Sequence, residues 1–423
     1  MLKDKKIVLG ITGGIAAYKA AELTRQLIKN GAEVKVIMTR HATEFITPLT
    51  MQTLSCGPVF LDMFACIKDF EIAHIALADY ADLLVIVPAT ANVIGKIASG
   101  IADDLLTTTV MAAKAPVLIC PAMNVNMFEN SIVQEKIKDL GSHGFHILSP
   151  AAGELACGTE GKGRLPEVPD IMEEIEYLLT EKDLMGEHIL VTAGPTREPF
   201  DPVRFITNYS SGKMGYAIAT VARRRGATVT LVSGPTHLSV PSGVEFLSVS
   251  TAREMRDAVL ANLPEATVVI KAAAVADYRP AVREPQKIKK KDDDLTVKLE
   301  RNPDIIQEIG KKKQNRILVG FAMESEHLVE NAIAKMVGKN MDFIVANDLT
   351  KQGAGFQGDT NIISILDRDG EFQELPLMDK IEAAAIILDK VRKIRNSQLN
   401  NPEKERDPFS ASWKTAGDKD HLQ

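Results

Sequence analysis

The stretch "KIVLGITGGIAAYKAAEL", residues 6–23, decides the fold. Its first part, KIVLGI, is apolar almost without a break rather than alternating, which is how a parallel strand buried on both faces reads. Gly13 and Gly14 follow, free to turn the backbone sharply, and a helical pattern opens directly behind them. Strand, glycine turn and helix predict one βα unit of a doubly wound sheet. In such sheets ligands settle beyond the carboxyl ends of the strands, so the residues just past each apolar run carry the chemistry.

The same plan recurs along the chain. "EVKVIM" (33–38), "DLLVIV" (82–87) and "APVLIC" (115–120) continue the first set of strands. The pattern restarts at "HILVTAG" (188–194) and runs through "ATVTLVSG" (227–234), "ATVVIKAA" (266–273), "ILVGFA" (317–322), "DFIVAN" (342–347) and "NIISIL" (361–366). A weak internal echo supports two halves. "LIKNGAEVKVIMT" (27–39) and "ARRRGATVTLVSG" (222–234) share a basic helix end, a glycine suited to a left-handed cap and a following strand. The expected architecture is α/β: two doubly wound Rossmann-like or flavodoxin-like domains with mainly parallel sheets. The expected domains are 1–182 and 186–395, parted where "TEKDLMGEH" (180–188) lapses into charge, and the polar, aperiodic 396–423 reads as a disordered tail.

A chain of 423 residues needs more than one core, and 45% apolar with 25% charged residues is ordinary for a globular protein. Cys56, Cys66, Cys120 and Cys157 form no CxxC pair, and neither an N-terminal leader nor a long apolar span is visible. This points to a reducing, cytoplasmic compartment, with no disulfide framework, no zinc ribbon and no membrane. With 50 basic against 56 acidic side chains, no nucleic-acid footprint covers the chain.

In the first half, Gly13 and Gly14 place free N–H groups at a helix N-terminus, which suits a phosphate; a tight turn without a ligand is the competing reading. The spacing is not GxGxxG, so a mononucleotide fits better than a dinucleotide. Past the third strand, "PATANVIGKIASG" (88–100) offers Thr90 and Asn92 at the mouth, with Pro88 ending the strand. Past the fourth, "PAMNVNMFEN" (121–130) sets the amide of Asn124 among Met123, Met127 and Phe128, fit to hold a carboxylate or a flavin edge, or simply packed. His74, in "EIAHIALADYADLL" (71–84), is a candidate base or a structural histidine. Cys157, in "LACGTEGKGRLPE" (155–167), is a metal ligand, a nucleophile, a redox partner or an inert thiol.

In the second half, "SSGKMG" (210–215) fails as a Walker A loop, because Met follows the lysine and the earlier glycine is missing. Thr196, Arg197, Asn208, Ser210 and Ser211 nevertheless supply donors around a helix start. "KAAAVADYRP" (271–280) puts Asp277 at a strand mouth, and the lysine run "KIKKK" (287–291) follows; by itself such a run is a solvated loop. Lys335 and Lys339 are four apart on an expected helix, which places both ammonium groups on one face.

Taken together, "GITGG", "AHIALADYADLLVIVPATAN", "PAMNVNMFEN" and "ACGTEGKGR" occur in an order and spacing that resembles the flavin-dependent cysteine decarboxylases. From about residue 5 to 392, the whole chain resembles the bacterial bifunctional family joining phosphopantothenoylcysteine decarboxylase to phosphopantothenate–cysteine ligase in coenzyme A synthesis. The resemblance implies FMN held by Gly13, Gly14, Thr39, Thr90 and Asn92, with His74, Asn124 and Cys157 as catalytic residues. Phe128 departs from the family's PxMNxxMW pattern, where Trp is usual, but keeps an aromatic wall. For the ligase the resemblance implies 4'-phosphopantothenate, cysteine and CTP as substrates, with an acyl-cytidylate held by Asn208 and Lys287 as the fixed cation. The implied CTP site comprises Asp277, Lys287, Asn302, Pro303, Asp304, Ile305, Phe321, Lys335 and Lys339. Mg2+ is expected with the triphosphate, although no carboxylate cluster identifies its ligands. Trimeric contacts of the flavin half and dimeric contacts of the ligase half are also implied, together making a larger assembly, a dodecamer among them.

Rival readings are separable. An NAD(P) reductase calls for a GxGxxG turn with an acidic residue about 20 positions on, which is missing. A flavin-binding regulatory protein has no need of the His74, Asn124 and Cys157 set or of a ligase half. Retention of only one of the two activities stays open.

Overall fold

The computed structural model describes residues 2–64, 72–154, 160–289, 295–324, 328–348 and 358–400. The chain divides into two compact units, Met1–Thr180 and Glu181–Gln423.

In the first unit, β1 (Lys6–Ile11), β2 (Glu33–Met38), β3 (Val59–Phe60), β4 (Leu83–Ala89), β5 (Val117–Pro121) and β6 (His146–Ile147) form one sheet in the order β3-β2-β1-β4-β5-β6. Every pairing is parallel. The order reverses between β1 and β4, and it is beyond the carboxyl ends at such a reversal that doubly wound sheets hold their ligands. Successive residues point to opposite faces, so both are buried: Ile7, Leu9 and Ile11 pack with Leu23 and Leu27 of the helix Ala17–Lys29. Val8, Leu84 and Ile86 pack the other way, with Val93 and Ile97 of Ala91–Ala98 and Leu106 of Leu105–Ala112. Each such side chain contributes about 1.5–3 kcal/mol on burial. A Cβ on Gly10 would lie 2.4 Å from Leu106 Cδ1, so glycine lets that helix close on the strand. Asp104 and Thr107 start the same helix with a reciprocal capping box.

Pro88 does not end its strand. β4 continues to Ala89, and the register against β5 shifts between Ile86 and Ala89, an irregularity that accommodates a residue lacking an N–H. A hairpin follows the sheet, β7 (Ala151–Glu154) antiparallel to β8 (Glu160–Arg164).

The second unit repeats the design with β9 (His188–Ala193), and then the small ribbon β10 (Arg197–Pro199) with β11 (Phe205–Thr207). β12 (Thr228–Ser233), β13 (Glu245–Ser248) and β14 (Val268–Lys271) rejoin the sheet, and β15 (Tyr278–Pro280) with β16 (Leu299–Arg301) forms a second ribbon. β17 (Ile317–Glu324) and β18 (Phe343–Asp348) follow. Next come β19 (Thr360–Asn361), β20 (Ile363–Asp367), β21 (Phe372–Glu374) and β22 (Met378–Asp379), which pairs with β19. The sheet order is β13-β12-β9-β14-β17-β18-β20-β21. Its first six members are parallel, whereas β20 pairs antiparallel with β18 and β21 antiparallel with β20. Ile363, Ile365 and Leu366 are buried like the parallel strands, so an apolar run could not reveal the reversal.

The two-half echo is a shared local structure. Gly31 and Gly226 adopt φ of 85° and 88°, and Ala32 and Ala227 each donate back to the carbonyl five residues earlier, Leu27 and Ala222, at 3.1 Å. The last helix, Lys380–Asn400, runs past Asn396, where the polar tail was expected to begin. Ser397 donates to the carbonyl of Lys393 and Gln398 accepts from Arg395, so its polar residues find partners within the helix. Residues 401–423 lie outside the described residues.

Candidate active sites

In the first unit the polar residues gather where β1 and β4 diverge. Thr12, fully buried, donates through Oγ1 to the carbonyl of Pro88 at 2.6 Å and accepts from the N–H of Thr90 at 3.1 Å. That holds the Gly13–Gly14 turn against the Thr90 loop. A Cβ on Gly13 would sit 2.4 Å from His41 Cβ, so only glycine brings the turn so close to the segment after β2. That segment starts at Thr39, whose N–H donates to Ile11. Thr90 precedes the helix Ala91–Ala98 without capping it by its side chain, and Asn92 is exposed. His74 is the second residue of the helix Ala73–Tyr80, and among the described residues its buried Nδ1 has no hydrogen-bond partner. A buried imidazole nitrogen without a partner is costly unless a ligand completes it.

Asn124 is carried beside this crevice. Ala122 donates to Ala89, and Met123 donates to Gly163 of β8, each at 3.0 Å. The Asn124 Oδ1 accepts from the N–H of Asn126, as the cap of the short helix Val125–Phe128. The hairpin fits only because it lacks side chains there: a Cβ on Gly163 would lie 2.4 Å from the Met123 carbonyl oxygen. Its base is tied down by Glu167, which receives Lys19 at 2.9 Å and Arg164 at 2.6 Å; these cations hold its carboxyl below the usual range. Met127 is 49% exposed, so the apolar wall around Asn124 is open. Cys157 lies outside the described residues.

In the second unit, the ends of β9 and β14 are joined similarly. The Thr192 and Thr196 hydroxyls accept from the N–H groups of Ala273 and Ala276 at 3.2 and 3.0 Å. Both threonines are fully buried, and the Thr196 hydroxyl serves as an acceptor within the fold. Asn208 donates to the Ala274 carbonyl at 3.2 Å, which puts it at the same mouth. Asp277 and the NPDI segment are brought together. Asn302 donates through its backbone to Asp277 and through its side chain to Ala276, both at 2.8 Å, and accepts from Arg279 at 2.9 Å. Pro303 is half-buried between Asn302 and Asp304.

Asp304 caps the helix Ile305–Lys311 and receives Lys339 at 2.9 Å. Burial works against its charge, yet Lys339 and the N–H of Gln307 hold its carboxyl below the usual range. Ile305 is buried in the core, which leaves its backbone alone for a ligand. The helix Leu328–Gly338 stops one residue short of Lys339, but the Lys339 N–H still donates to Lys335 and keeps the two lysines stacked. Phe321 is half-buried and packs into the cluster on the opposite face of the sheet from Ile305.

Lys287 is exposed and lines a cavity of about 440 Å³ with Phe200, Val282, Glu284 and Leu295. Lys290 and Lys291 lie outside the described residues. No group of three His, Cys, Asp or Glu among the described residues is disposed to hold a metal.

Residues 1–180 match the family model described as Flavoprotein, and residues 184–394 match that of the DNA/pantothenate metabolism flavoprotein C-terminal domain. A coenzyme A biosynthesis bifunctional protein of Bacillus subtilis (strain 168) is 49% identical over 395 residues, 92% of this chain and 97% of its own length. The chain belongs to the family of coenzyme A biosynthesis bifunctional proteins. An Escherichia coli (strain K12) member is 44% identical over 395 residues, again 92% of this chain and 97% of its own. The crystal structure of the C-terminal domain of a coenzyme A biosynthesis bifunctional protein is 44% identical, covering 51% of this chain and 100% of that one, with a TM-score of 0.45. Members of this family are enzymes, and this one joins a flavoprotein decarboxylase half to a ligase half.

Three residues of this bifunctional protein escape a reading by motif. Lys271 ends β14; burial pushes its ammonium down to about 8, against the pull of Asp304, while Lys339 adds to the fall. A lysine closing the apolar run "ATVVIK" was the visible signal. Asp201 and Arg204 lie in "DPVRF" and grip the segment that carries Lys287, a relation between distant stretches that spacing does not reveal.

Proposed function

We propose that the first unit decarboxylates 4'-phosphopantothenoylcysteine with FMN, and that the second makes that substrate from 4'-phosphopantothenate, cysteine and CTP. The carrying observation is that each unit gathers its polar residues at a strand-order reversal, β1/β4 and β9/β14, with different chemistry at each. Beyond β1 and β4 stands a glycine turn before a helix, which fits a phosphate, and the buried His74 nitrogen, without a hydrogen-bond partner among the described residues, fits a flavin-bound substrate. When bound, FMN supplies a two-electron sink for the cysteinyl carbon and sulfur and afterwards returns the pair. His74 orients the substrate or moves its protons, Asn124 holds the carboxylate that leaves as CO2, and Cys157 supplies the final proton to carbon.

Beyond β9 and β14 the substrate carboxylate attacks the α-phosphate of CTP and pyrophosphate leaves. The cysteine amine then displaces CMP from the acyl-cytidylate. Negative charge gathers on the phosphoryl oxygens in the first step, so the Lys287 ammonium is worth about two to three orders of magnitude in rate. Asn208 positions the acyl-cytidylate, while Asp277, Asn302, Asp304, Lys335 and Lys339 hold the nucleotide. Mg2+ enters with the triphosphate as its counter-ion. A cytoplasmic location and an assembly of trimeric and dimeric contacts belong to the same reading; among the described residues no helix is long and apolar enough to cross a membrane.

Lys287→Gln tests the division of labour. Pyrophosphate release is expected to collapse while CO2 release from ready-made 4'-phosphopantothenoylcysteine persists; loss of both from a folded protein contradicts it.

A further inference from the structure

Where a doubly wound sheet opens a ligand crevice, two adjacent strands must stop hydrogen bonding to each other and diverge. The β1–β4 ladder ends at Gly10 and Ile86. Just beyond, the Thr12 hydroxyl spans the gap with both of its capacities in use: it donates to the Pro88 carbonyl at 2.6 Å and accepts from the Thr90 N–H at 3.1 Å. It also lies 3.4 Å from the Thr90 hydroxyl. Thr12 and Pro88 are buried, so the Pro88 carbonyl that the hydroxyl satisfies cannot turn to water instead.

Thr12 is followed directly by Gly13 and Gly14, and its partner Thr90 directly precedes the helix Ala91–Ala98. A Cβ on Gly14 would stand 3.7 Å from Thr90 Cγ2, so the two loops face each other across the latch. The second unit also links the ends of β9 and β14 through buried threonine hydroxyls, Thr192 and Thr196 each accepting one backbone N–H from beyond β14. That the device recurs at both strand-order reversals, and within each unit spans the mouth of the crevice, ties it to the ligand site.

We propose that Thr12 is a positioning residue for the flavin: its hydroxyl sets the separation between the Gly13–Gly14 turn and the Thr90 loop, the two loops between which FMN lies. This rests on the reading of the first unit as an FMN site. Thr12 touches neither cofactor nor substrate; it acts through the two loops it joins.

The test strips flavin from the full-length protein and titrates FMN back into native, Thr12→Val, Thr12→Ala and Thr12→Ser proteins. Binding is followed by flavin fluorescence and the visible circular dichroism of the bound ring. Valine keeps the shape and loses both hydrogen bonds, alanine loses them without added apolar bulk, and serine keeps them. Val and Ala are expected to weaken FMN binding by about 10- to 100-fold, the consequence of one unsatisfied buried backbone group. They should also alter the visible dichroism, while Ser restores most of both. Far-ultraviolet circular dichroism and the thermal unfolding of the flavin-stripped proteins, unchanged in all four, serve as the folding control, and Ala carries the test if Val fails to fold. Native affinity and dichroism in Val and Ala overturn the proposal, as does a loss in Ser equal to theirs. A native protein that takes up no FMN overturns the flavin reading itself, a result distinct from uptake by native and variants alike.

Discussion

Arg204 donates to Asp201 through Nε at 2.9 Å and through Nη2 at 2.6 Å, and Nη2 reaches on to the carbonyl of Ile288 at 3.0 Å. Asp201 in turn accepts from the Ile288 N–H at 3.3 Å. Both backbone groups of the residue after Lys287 are thus gripped by one ion pair. Burial opposes the charge on Asp201, but Arg204 and the N–H groups of Val203, Arg204 and Ile288 hold its carboxyl far below the ordinary range.

This pair should set where the Lys287 ammonium stands. Asp201→Asn turns an amide donor toward the donors of Arg204 and frees the Ile288 segment. Pyrophosphate release is expected to fall by about tenfold or more, the usual cost of a misplaced catalytic group, with the flavin spectrum untouched. Unchanged pyrophosphate kinetics would show that Lys287 is positioned by something else.

Lys271 gives the second unit a pH signature. Its ammonium titrates near 8 in the fold against 10.5 when free. Between those values the unfolded chain holds the extra proton, so stability rises with pH across that window, and at pH 7 the half-buried charge is a liability. Lys271→Met should therefore raise unfolding stability at pH 7 by about 1–3 kcal/mol, with the advantage vanishing near pH 10.5. Denaturant midpoints for the second unit at the two pH values check this. A destabilised variant at pH 7 would mean that the ammonium is paired rather than strained.

The hairpin needs Gly163 bare. Alanine would put a methyl 2.4 Å from the Met123 carbonyl oxygen, at a φ of 148° that disfavours it. Gly163→Ala is expected to cut CO2 release by about tenfold or more by pushing the hairpin off the Asn124 segment, and to leave pyrophosphate release intact. Measuring both activities on the same preparation separates a local shift from general misfolding.

For Cys157 the expectation is chemical. Cys157→Ser should release CO2 and then stall, leaving the enethiol in place of the thiol product, detectable by mass spectrometry of the bound material. A full rate of thiol formation would assign the final proton to another group.

Strands buried on both faces were legible because their residues are apolar irrespective of neighbours, as in "KIVLGI" and "ATVTLVSG". The helix caps at Gly31 and Gly226 were legible because only a few residues take a positive φ easily. What stayed hidden depends on partners distant in sequence. The antiparallel direction of β20 is a matter of pairing, not composition. Thr196 stood among the loop donors, and only the fold shows that its buried hydroxyl accepts from the N–H of Ala276, 80 residues away. Ile305 followed a nucleotide motif, but its side chain serves the core. Asp201 bore no motif at all, and its importance is visible only once Arg204 and Ile288 are seen around it.

The most direct measurement of the central claim supplies the purified protein with 4'-phosphopantothenate, CTP and cysteine labelled at its carboxyl carbon. Pyrophosphate should appear before cysteine is added, and labelled CO2 only afterwards, in amounts that do not exceed the pyrophosphate. Labelled CO2 without CTP, or pyrophosphate with no CO2 from protein reconstituted with FMN, would contradict two cooperating activities on one chain.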